Sequence, residues 1–453
     1  MSDLLADFFT ECRQALADQH QISRWVIGYS GGLDSTVLLA LAAQIFPTAS
    51  LHALHIHHQL QSEADAWAAH CQAFSKQLGV PCTVIHVQPE GRSENAARDA
   101  RYQAFTEWLE PSDCLLLGHH AGDQSETLLY RLIRGAGVNG LCGIPATRGL
   151  GQAMLLRPLL AFSRSQLEGW AREQGLDWIE DPSNQHQHYD RNFLRHQVLD
   201  PLRERWSHLD RRLSDTATMM TEARDLLEQL ARQDLLPLQS ESGALDLSGL
   251  RQLAESRQHN LLRYWVGQSG YALNRKDLLS IRQQFLESKE DAQPQLRLGR
   301  SLLRRYRQQL FLLQPDLASR SVLAPAEVRI ALDRAVTLEL AGGVLEVVPG
   351  SYAALSDEAG LSSEDLPQLL FAYRAGGEVL CPLGKGFSVS LKQLFQDAGV
   401  PPWLRQEWPL LMLDGQIAAV PGICNTELLA DFAGLNFIWR PFSLSGRPFF
   451  VSL

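Results

Sequence analysis

The segment Trp25-Val26-Ile27-Gly28-Tyr29-Ser30-Gly31-Gly32-Leu33-Asp34-Ser35 decides the fold of this chain. Its first five residues are rich in residue types that favour β-strands, and the run ends at a Ser-Gly-Gly turn. Apolar residues with helical spacing follow from Ser35 to about Phe46. A short apolar strand that passes through a glycine turn into a helix predicts the beginning of an α/β domain.

Strand-like and helical segments alternate along the next hundred residues. We predict strands at 51–56, 83–87 and 114–117, and helices at 63–79, 94–109 and 123–134. Short apolar strands that alternate with helices imply a parallel sheet covered on both faces. We therefore predict an α/β, doubly wound, mostly parallel sheet, with the ligand beyond the carboxyl ends of its strands.

The rest of the chain is predicted to form two further domains. Residues 207–310 are predicted to be mostly helical, and β-like alternation begins after Leu313-Gln314-Pro315-Asp316. We expect a catalytic domain over 1–210 and a mainly helical domain over 211–315. A linker and a small α+β domain are expected over 316–453.

Composition excludes several classes of protein. The 41 Lys and Arg against 51 Asp and Glu give a net charge of −10, which disfavours non-specific nucleic-acid coating but permits a local basic face. Seven scattered cysteines without a C-x-x-C pair argue against a disulfide framework, a zinc knuckle and an iron–sulfur cluster. At the N-terminus acidic residues precede the first basic residue, which is the wrong order for a signal peptide. No apolar stretch reaches about 18 residues, the length that a membrane-spanning helix needs. We expect a cytoplasmic protein with no membrane contact, and nothing in the sequence indicates a protein partner.

The turn Ser30–Ser35 is typical of a site that binds phosphate. Its two glycines allow successive N–H groups to converge, and the following helix adds unpaired N–H groups and the positive end of its dipole. Asp34 would repel phosphate unless a cation lay between them, which predicts Mg²⁺. The lysine of the Walker pattern, which would reach a γ-phosphate from the start of the helix, is absent. This absence favours cleavage of ATP to AMP and pyrophosphate over transfer of the γ-phosphate. The alternative is a glycine turn in which Asp34 and Ser35 only cap the helix.

A second candidate group lies on the helix predicted over 94–109. Glu94, Arg98 and Arg101 are three and four residues apart, so they share one helical face. Two arginines on one face are suited to bind a phosphate group. A solvated helix with salt bridges between successive turns is the alternative.

The third candidate group, His119–Thr127, follows the fourth predicted strand. Asp123 and Glu126 lie one turn apart at a helix start, beside His119 and His120. Two carboxylates placed in this way can bind Mg²⁺, or can receive and deprotonate an amine. Simple capping of the helix by acids is the alternative. A transition-metal site is disfavoured because the segment offers no matching third ligand.

Basic residues cluster in two regions, on the helix predicted over 191–205 and between 294 and 313, where five arginines occur without an acid. Solvated helix faces are the usual explanation for such runs. The alternative is a surface that follows nucleic-acid phosphates. For that surface we single out Arg191, Arg195, Arg205, Arg300, Arg304 and Arg305.

The turn Ser30–Ser35 resembles the pyrophosphate-loop motif of the adenine-nucleotide α-hydrolase superfamily. Further motifs make almost the whole chain similar to the tRNA(Ile)-lysidine synthetase family. In chain order they are His55-Ile56-His57-His58, Ala97-Arg98 with Arg101-Tyr102, His119–Thr127, Arg157-Pro158-Leu159, Glu180-Asp181-Pro182-Ser183-Asn184, Asp190-Arg191-Asn192 with Arg195, Leu391–Phe395 and Gly399–Arg405. One position departs from the family, which usually has two adjacent acids where this chain has Gly122-Asp123.

The resemblance implies a tRNA-modifying ligase that uses ATP and Mg²⁺. In that reaction the C2 oxygen of the wobble cytidine, in the isoleucine tRNA with a CAU anticodon, attacks the α-phosphorus of ATP. The ε-amine of free lysine then displaces AMP and leaves lysidine. The resemblance implies that the turn Ser30–Ser35 binds ATP, that Asp34 binds Mg²⁺ with Asp123 as a second candidate ligand, and that the catalytic residues are Asp34, Arg98, Arg101, His119, His120, Asp123 and Glu126.

Three rival functions stay open at this point. A tRNA thiolase would typically use a C-x-x-C cluster or a catalytic cysteine pair, and this chain offers neither. An ammonia-using synthetase would not need a basic face for RNA. The third rival is a regulator that binds a nucleotide but catalyses no reaction. Gly122 leaves this rival open because it stands where the family usually has an acid.

Overall fold

The computed structural model describes residues 3–15, 22–59, 63–91, 94–180, 190–240, 243–289, 292–313, 329–330, 336–340, 343–348, 369–432 and 436–441. The chain divides into two compact units, Met1–Leu226 and Leu227–Leu453. In the described ranges, none of the helices combines the length and apolar character that a bilayer crossing requires.

The first unit is built on a six-stranded sheet. Its strands are β1 Arg24–Gly28, β2 Leu51–His57, β3 Cys82–His86, β4 Asp113–Leu116, β5 Thr147–Leu150 and β6 Ala153–Leu156. The spatial order is β3-β2-β1-β4-β6-β5. All neighbours pair in parallel except β5, which is antiparallel to β6. The predicted doubly wound, mostly parallel sheet is confirmed.

Helices connect these strands. They are α1 Asp3–Ala15, α2 Leu33–Ile45, α3 Ala64–Gln77, α4 Glu94–Trp108, α5 Ala121–Ile133, α6 Val138–Leu141, α7 Arg164–Glu173, α8 Asp190–Phe193, α9 Asp200–Arg205 and α10 Leu209–Leu235. A π-helical segment, Leu194–Leu199, joins α8 to α9. The helix predicted over 191–205 is therefore interrupted by a π turn, a feature that often occurs at functional sites.

Two hydrophobic cores cover the two faces of this sheet. Ile27 of β1 belongs to one core and its neighbour Val26 to the other, because successive side chains of a strand point to opposite faces. Helix α2 is buried along most of its length, from Leu33 to Ala42. An apolar helix of this kind is held firmly within the core, and its N-terminus is thereby fixed at the end of β1.

The second unit contains two separate cores. The first surrounds the helices α11 Leu247–Gln252, α12 Glu255–Gly267 and α13 Arg275–Ile281, and a sheet formed by β7 Leu245–Asp246, β8 Gln295–Leu298, β9 Ser301–Tyr306 and β10 Gln309–Leu313. The prediction that residues 207–310 are mostly helical is confirmed, and β8 and β9 are strands within that range. Their residues alternate between more and less buried positions, as in Leu303 and Arg304, which is the period of a strand.

The second core lies in the C-terminal part of the chain. It is formed by the helix α14 Leu391–Asp397 and by the antiparallel strands β11 Arg329–Ile330, β12 Val336–Leu340, β13 Gly343–Val348, β14 Leu369–Ala372, β15 Val379–Leu380, β16 Val389–Ser390, β17 Leu410–Leu413, β18 Gln416–Val420, β19 Cys424–Asn425 and β20 Asn436–Pro441. Trp403 packs edge-on against Tyr306 of β9 and Phe311 of β10. We propose that the two cores correspond to the second and third domains predicted from the sequence.

Candidate active site

A cavity of about 640 Å³ opens at the carboxyl ends of β1, β2 and β4. This is the edge at which ligands bind in open α/β sheets. The residues that line it include Ser30, Gly32, Leu33, Asp34, Ser35, His55, His58, Arg101, His119, Arg164, Ile179 and Glu180. Most residues of the predicted phosphate turn therefore face one cavity. The motif Asp181-Pro182-Ser183-Asn184 lies outside the described residues.

Gly31 shapes the turn in a way that only glycine allows. Its φ angle is +85°, and a Cβ atom there would lie 2.6 Å from Ile179 Cδ1 and 2.9 Å from Cys71 Sγ. The Gly31 carbonyl accepts hydrogen bonds from the Ile179 N–H at 2.9 Å and from the Thr36 hydroxyl at 3.3 Å. The turn is thus held against the wall of the cavity by its own backbone.

The start of α2 is left open toward the cavity. Gly32 is its N-cap residue and no side chain caps the helix, so the alternative that Asp34 and Ser35 act only as caps is not supported. The Ser35 hydroxyl instead donates to the Gly32 carbonyl at 3.0 Å and accepts the Ser30 N–H at 3.2 Å. The uncapped N–H groups of the first turn suit phosphate oxygens.

Asp34 carries an unsatisfied oxygen at the rim of this turn. Its Oδ1 atom is buried and has no hydrogen-bond partner among the described residues. Its Oδ2 atom lies 3.8 Å from His120 Nε2 and 3.8 Å from Arg164 Nη1. Burial raises the pKa of Asp34, while His120 and Arg164 oppose that shift.

These surroundings fit Mg²⁺. The ion is usually held in proteins by one or two carboxylates, and substrate phosphates and water complete its shell. Among the described residues, no three His, Cys, Asp or Glu side chains are placed to hold a metal together. A cation at this site would therefore rest on Asp34 and on the phosphates of a nucleotide.

His120 caps α5 and lies between two acids. Its Nδ1 atom accepts the Gly122 N–H at 2.9 Å, and Asp123 Oδ2 accepts the His120 N–H at 3.0 Å. Its Nε2 atom is 3.8 Å from both Asp34 Oδ2 and Asp123 Oδ2. A Cβ atom on Gly122 would lie 2.6 Å from His120 Cε1, so the absence of a side chain at residue 122 leaves room for the imidazole.

Asp123 combines the capping role with an accessible carboxylate. Its side chain is 25% exposed. Burial tends to raise its pKa, but His120, His119 and the bonded N–H of His120 together hold the pKa of Asp123 below its ordinary value. Asp123 is therefore ionised near neutral pH and can accept a proton.

Glu126 of α5 and Arg195 form an ion pair. Arg195 Nε lies 2.5 Å from Oε1 of Glu126, and Arg195 Nη2 lies 3.0 Å from Oε2. Glu126 is only 4% exposed, and burial raises its pKa although Arg195 opposes the shift. A buried carboxylate needs such a partner. Glu126 is thus engaged with Arg195, and Arg195 Nη2 also lies 3.8 Å from Asp123 Oδ1. The predicted roles of Glu126 toward an amine and of Arg195 toward tRNA stay predictions.

His119 faces the cavity with its proton position fixed. The Arg157 Nε–H donates to His119 Nδ1 at 3.2 Å, so a neutral His119 carries its proton on Nε2. Burial lowers the pKa of His119 to about 4. Arg157, which is 3% exposed, was missed as a site residue, although it directly follows β6 at the functional edge of the sheet.

The two predicted arginines of α4 have different surroundings. Arg101 lines the cavity, whereas the Arg98 guanidinium lies 5.3 Å from the centre of the Tyr102 ring. Arg164, near Asp34, was also missed by sequence reasoning. Its side chain is 56% exposed at the start of α7, and no local signal separates it from other surface arginines.

The predicted nucleic-acid contacts also differ in accessibility. Arg205 and Arg300 are exposed, Arg191 is half-buried, and the half-buried Arg304 lies 5.3 Å from the centre of the Trp403 ring. Arg305 is 3% exposed and donates to the Phe285 carbonyl at 3.1 Å and to the Ser288 hydroxyl at 3.0 Å. The prediction for Arg305 is wrong, because its strand turns this side chain into the core.

Comparison with known proteins covers nearly the whole chain. Family models match as a PP-loop domain over residues 5–202, a TilS substrate binding domain over 245–311 and a TilS substrate C-terminal domain over 369–438. The tRNA(Ile)-lysidine synthase of Pseudomonas syringae pv. tomato is 40% identical over 90% of this chain and 91% of its own. The enzyme of Pseudomonas aeruginosa is 39% identical over 94% and 96%, and that of Shigella flexneri 36% identical over 92% and 96%.

Proposed function

The chain belongs to the tRNA(Ile)-lysidine synthase family, and we propose that it forms lysidine in the isoleucine tRNA with a CAU anticodon, using ATP and free lysine. The wobble cytidine is adenylated on its C2 oxygen, and the lysine ε-amine then displaces AMP. The observation that carries this proposal is the glycine turn with its uncapped helix start and the unsatisfied Asp34 oxygen, all facing one cavity.

In the adenylation step the chain's main task is to position ATP and neutralise its charge. The N–H groups at the start of α2 bind phosphate oxygens, and Arg101 and Arg164 add positive charge at the cavity wall. Asp34 would hold Mg²⁺, which would supply further neutralisation of the phosphate charge. His119 is neutral near pH 7, because burial lowers its pKa to about 4, and its Nε2–H is available to donate a hydrogen bond.

In the second step the incoming amine must lose a proton. A free lysine ε-amine has an ordinary pKa of about 10.4, so it arrives as an ammonium ion near neutral pH. Asp123 binds that ammonium and takes its proton as the carbon–nitrogen bond forms. Arg195, whose Nη2 atom is 3.8 Å from Asp123 Oδ1, helps to keep Asp123 ionised, and Glu126 holds Arg195 in position.

Recognition of tRNA requires contacts outside the cavity, because the wobble base must leave the anticodon stack to be modified. In the first unit we propose Arg191 and the exposed Arg205 for phosphate contacts, and in the second unit Arg300 and Arg304. The match of residues 245–311 and 369–438 to substrate domains of this family supports a role for both parts of the second unit.

One assay tests the proposed reaction. The protein is incubated with ATP, labelled lysine and a transcript of the isoleucine tRNA, and the expected products are a label linked to the wobble base, AMP and pyrophosphate. A transcript with uridine at the wobble position is the matched control, since it lacks the cytosine ring. Release of AMP without base-linked label from the correct transcript, at saturating lysine, would exclude the proposed amine transfer.

A further inference from the structure

Tyr102 is surrounded by three guanidinium groups that come from three different elements. Arg98 of α4 and Arg148 of β5 lie with Cζ at 5.3 Å and 4.7 Å from the centre of its ring. Arg157, which follows β6, donates from Nη2 to the Tyr102 hydroxyl at 3.3 Å. A phenol with arginines on its ring and on its hydroxyl concentrates positive charge in a small volume.

Among the residues that the structure describes, no ion pair with an acid balances this charge. Among the described residues, no carboxylate lies within ion-pair distance of Arg98, Arg148 or Arg157, whereas Arg24 and Arg195 each have such a partner. The pKa values agree with this arrangement. Burial alone would raise the pKa of Tyr102, yet Arg157, Arg98 and Arg148 lower it below its ordinary value. Like charges that converge without a counter-ion indicate a site built for an anion.

The cluster lies beside the nucleotide cavity and not in it. Tyr102, Arg98, Arg148 and Arg157 are absent from the cavity lining, which does include Arg101. Arg148 is exposed to solvent, so an anion can reach it from outside. On its inner side the cluster touches the cavity through Arg157, which bonds the cavity residue His119.

We propose that Arg98 and Arg148, which lie against the Tyr102 ring, form a binding site for a phosphodiester group of the tRNA anticodon loop, next to the nucleotide whose base enters the cavity. The buried Arg157, which donates to Tyr102, His119 and the Pro145 carbonyl, adds positive charge behind this site and does not contact the phosphate. The proposal rests on the function proposed above. Arginine forks bind two phosphate oxygens at once, and they fix the backbone while the base is turned out of its stack. The phosphates of ATP offer the same chemistry, so the experiment must separate the two sources.

The test uses Arg148→Gln, because this side chain is exposed and its loss leaves the core intact. Arg172→Gln is the matched control, since Arg172 is also exposed but pairs with Glu168 on the same helix. The dissociation constant of the unmodified tRNA is measured at several salt concentrations without ATP and lysine. We expect Arg148→Gln to weaken binding about tenfold, and to reduce the slope of log K against log salt by about 0.7.

Conservative replacement gives a second arm. Arg148→Lys keeps the charge, so it should restore the salt slope, while the loss of the fork leaves affinity about threefold weaker than wild type. The KM for ATP at saturating tRNA separates the sources of phosphate. If Arg148→Gln raises the KM for ATP but binds tRNA normally, the cluster binds the nucleotide and the proposal is overturned. The proposal is also overturned if Arg148→Gln binds tRNA as tightly as Arg172→Gln does.

These outcomes are independent of whether the protein makes lysidine, because tRNA binding is measured without catalysis. If the wild-type protein forms lysidine and Arg148→Gln binds tRNA normally, the phosphate site is wrong and the proposed function stands. If the wild-type protein binds tRNA through Arg148 but forms no lysidine, the proposed function fails and the phosphate site stands.

Discussion

The imidazole of His120 occupies the space where residue 122 would carry a side chain. A Cβ atom on Gly122 would lie 2.6 Å from Cε1 and 3.0 Å from Nδ1 of His120. The same ring accepts the Gly122 N–H and lies between Asp34 and Asp123. Gly122 is therefore part of how this site is assembled.

Gly122→Ala should lower both activity and stability. The new methyl group displaces His120 and removes the helix cap, which costs about 1 kcal/mol, and this outweighs any gain in helix propensity. Gly169→Ala in α7 is the matched control, since a Cβ atom there meets nothing within 4 Å. It should raise the free energy of unfolding by roughly 0.5–1 kcal/mol. Equal stability changes in the two variants, measured by urea unfolding, would contradict the role assigned to Gly122.

His119 should make unfolding depend on pH. Its pKa in the folded protein is about 4, mainly because it is buried, while the unfolded chain has an ordinary histidine pKa near 6.5. Between these values the unfolded state binds more protons, so this histidine destabilises the fold as pH falls from about 6.5 toward 4. Other buried histidines contribute as well, and the difference between wild type and His119→Gln isolates its share. Between about pH 4 and 6.5 the free energy of unfolding should depend less steeply on pH in His119→Gln than in wild type. Above pH 7 the two proteins should show the same pH dependence.

The Nε2 proton of His119 should be visible by spectroscopy. Because Arg157 donates to Nδ1, nitrogen NMR of the labelled imidazole should report a neutral ring protonated at Nε2 at pH 7. Arg157→Gln should shift the ring toward a mixture of tautomers. A spectrum of a doubly protonated ring in the wild-type protein at pH 7 would be incompatible with the bonding described.

Asp123→Asn should separate the two chemical steps. The amide keeps the shape and can still accept the His120 N–H, so ATP binding should change little. It cannot take a proton from the lysine amine, and lysidine formation should fall by about 10²–10⁴-fold. Asp34→Asn should instead weaken the adenylation step. The two variants are compared by the yield of adenylated tRNA without lysine, and unchanged lysidine formation in Asp123→Asn would refute its role.

Local sequence patterns were sufficient for the sheet and the phosphate turn. The apolar run of β1 and the glycines after it specify their own conformation, and the positions of parallel strands place the cavity. The pairs Glu126–Arg195 and Arg157–His119 join residues 69 and 38 positions apart, so no local period reveals them. The strands β8 and β9 were not predicted separately within a range expected to be mostly helical, because their three arginines obscure the alternation of buried leucines.

Breaking the Glu126–Arg195 pair should cost more than breaking a surface pair. Arg195→Gln leaves a buried carboxylate without its partner, which is expected to cost about 3 kcal/mol of unfolding free energy. Arg172→Gln removes a pair on the surface of α7 and should cost less than about 1 kcal/mol. Since Arg195 also lies near Asp123, Arg195→Gln should reduce lysine transfer more than ATP binding. A stability loss no greater than that of the surface variant would show that the pair is not buried in solution.

Two arginines of the same β-hairpin should have opposite effects when replaced. Arg305→Gln leaves the Phe285 carbonyl and the Ser288 hydroxyl without a charged donor in the core, at a cost of about 1–3 kcal/mol for the second unit. Arg305→Gln should weaken tRNA binding only to the extent that it destabilises the second unit. Arg300→Gln, at an exposed turn, should leave the melting temperature within about 1 °C and weaken tRNA binding severalfold at low salt. Thermal unfolding and tRNA titration of both variants decide whether Arg305 stabilises the core or contacts tRNA. If Arg305→Gln is as stable as wild type but binds tRNA more weakly, Arg305 contacts tRNA.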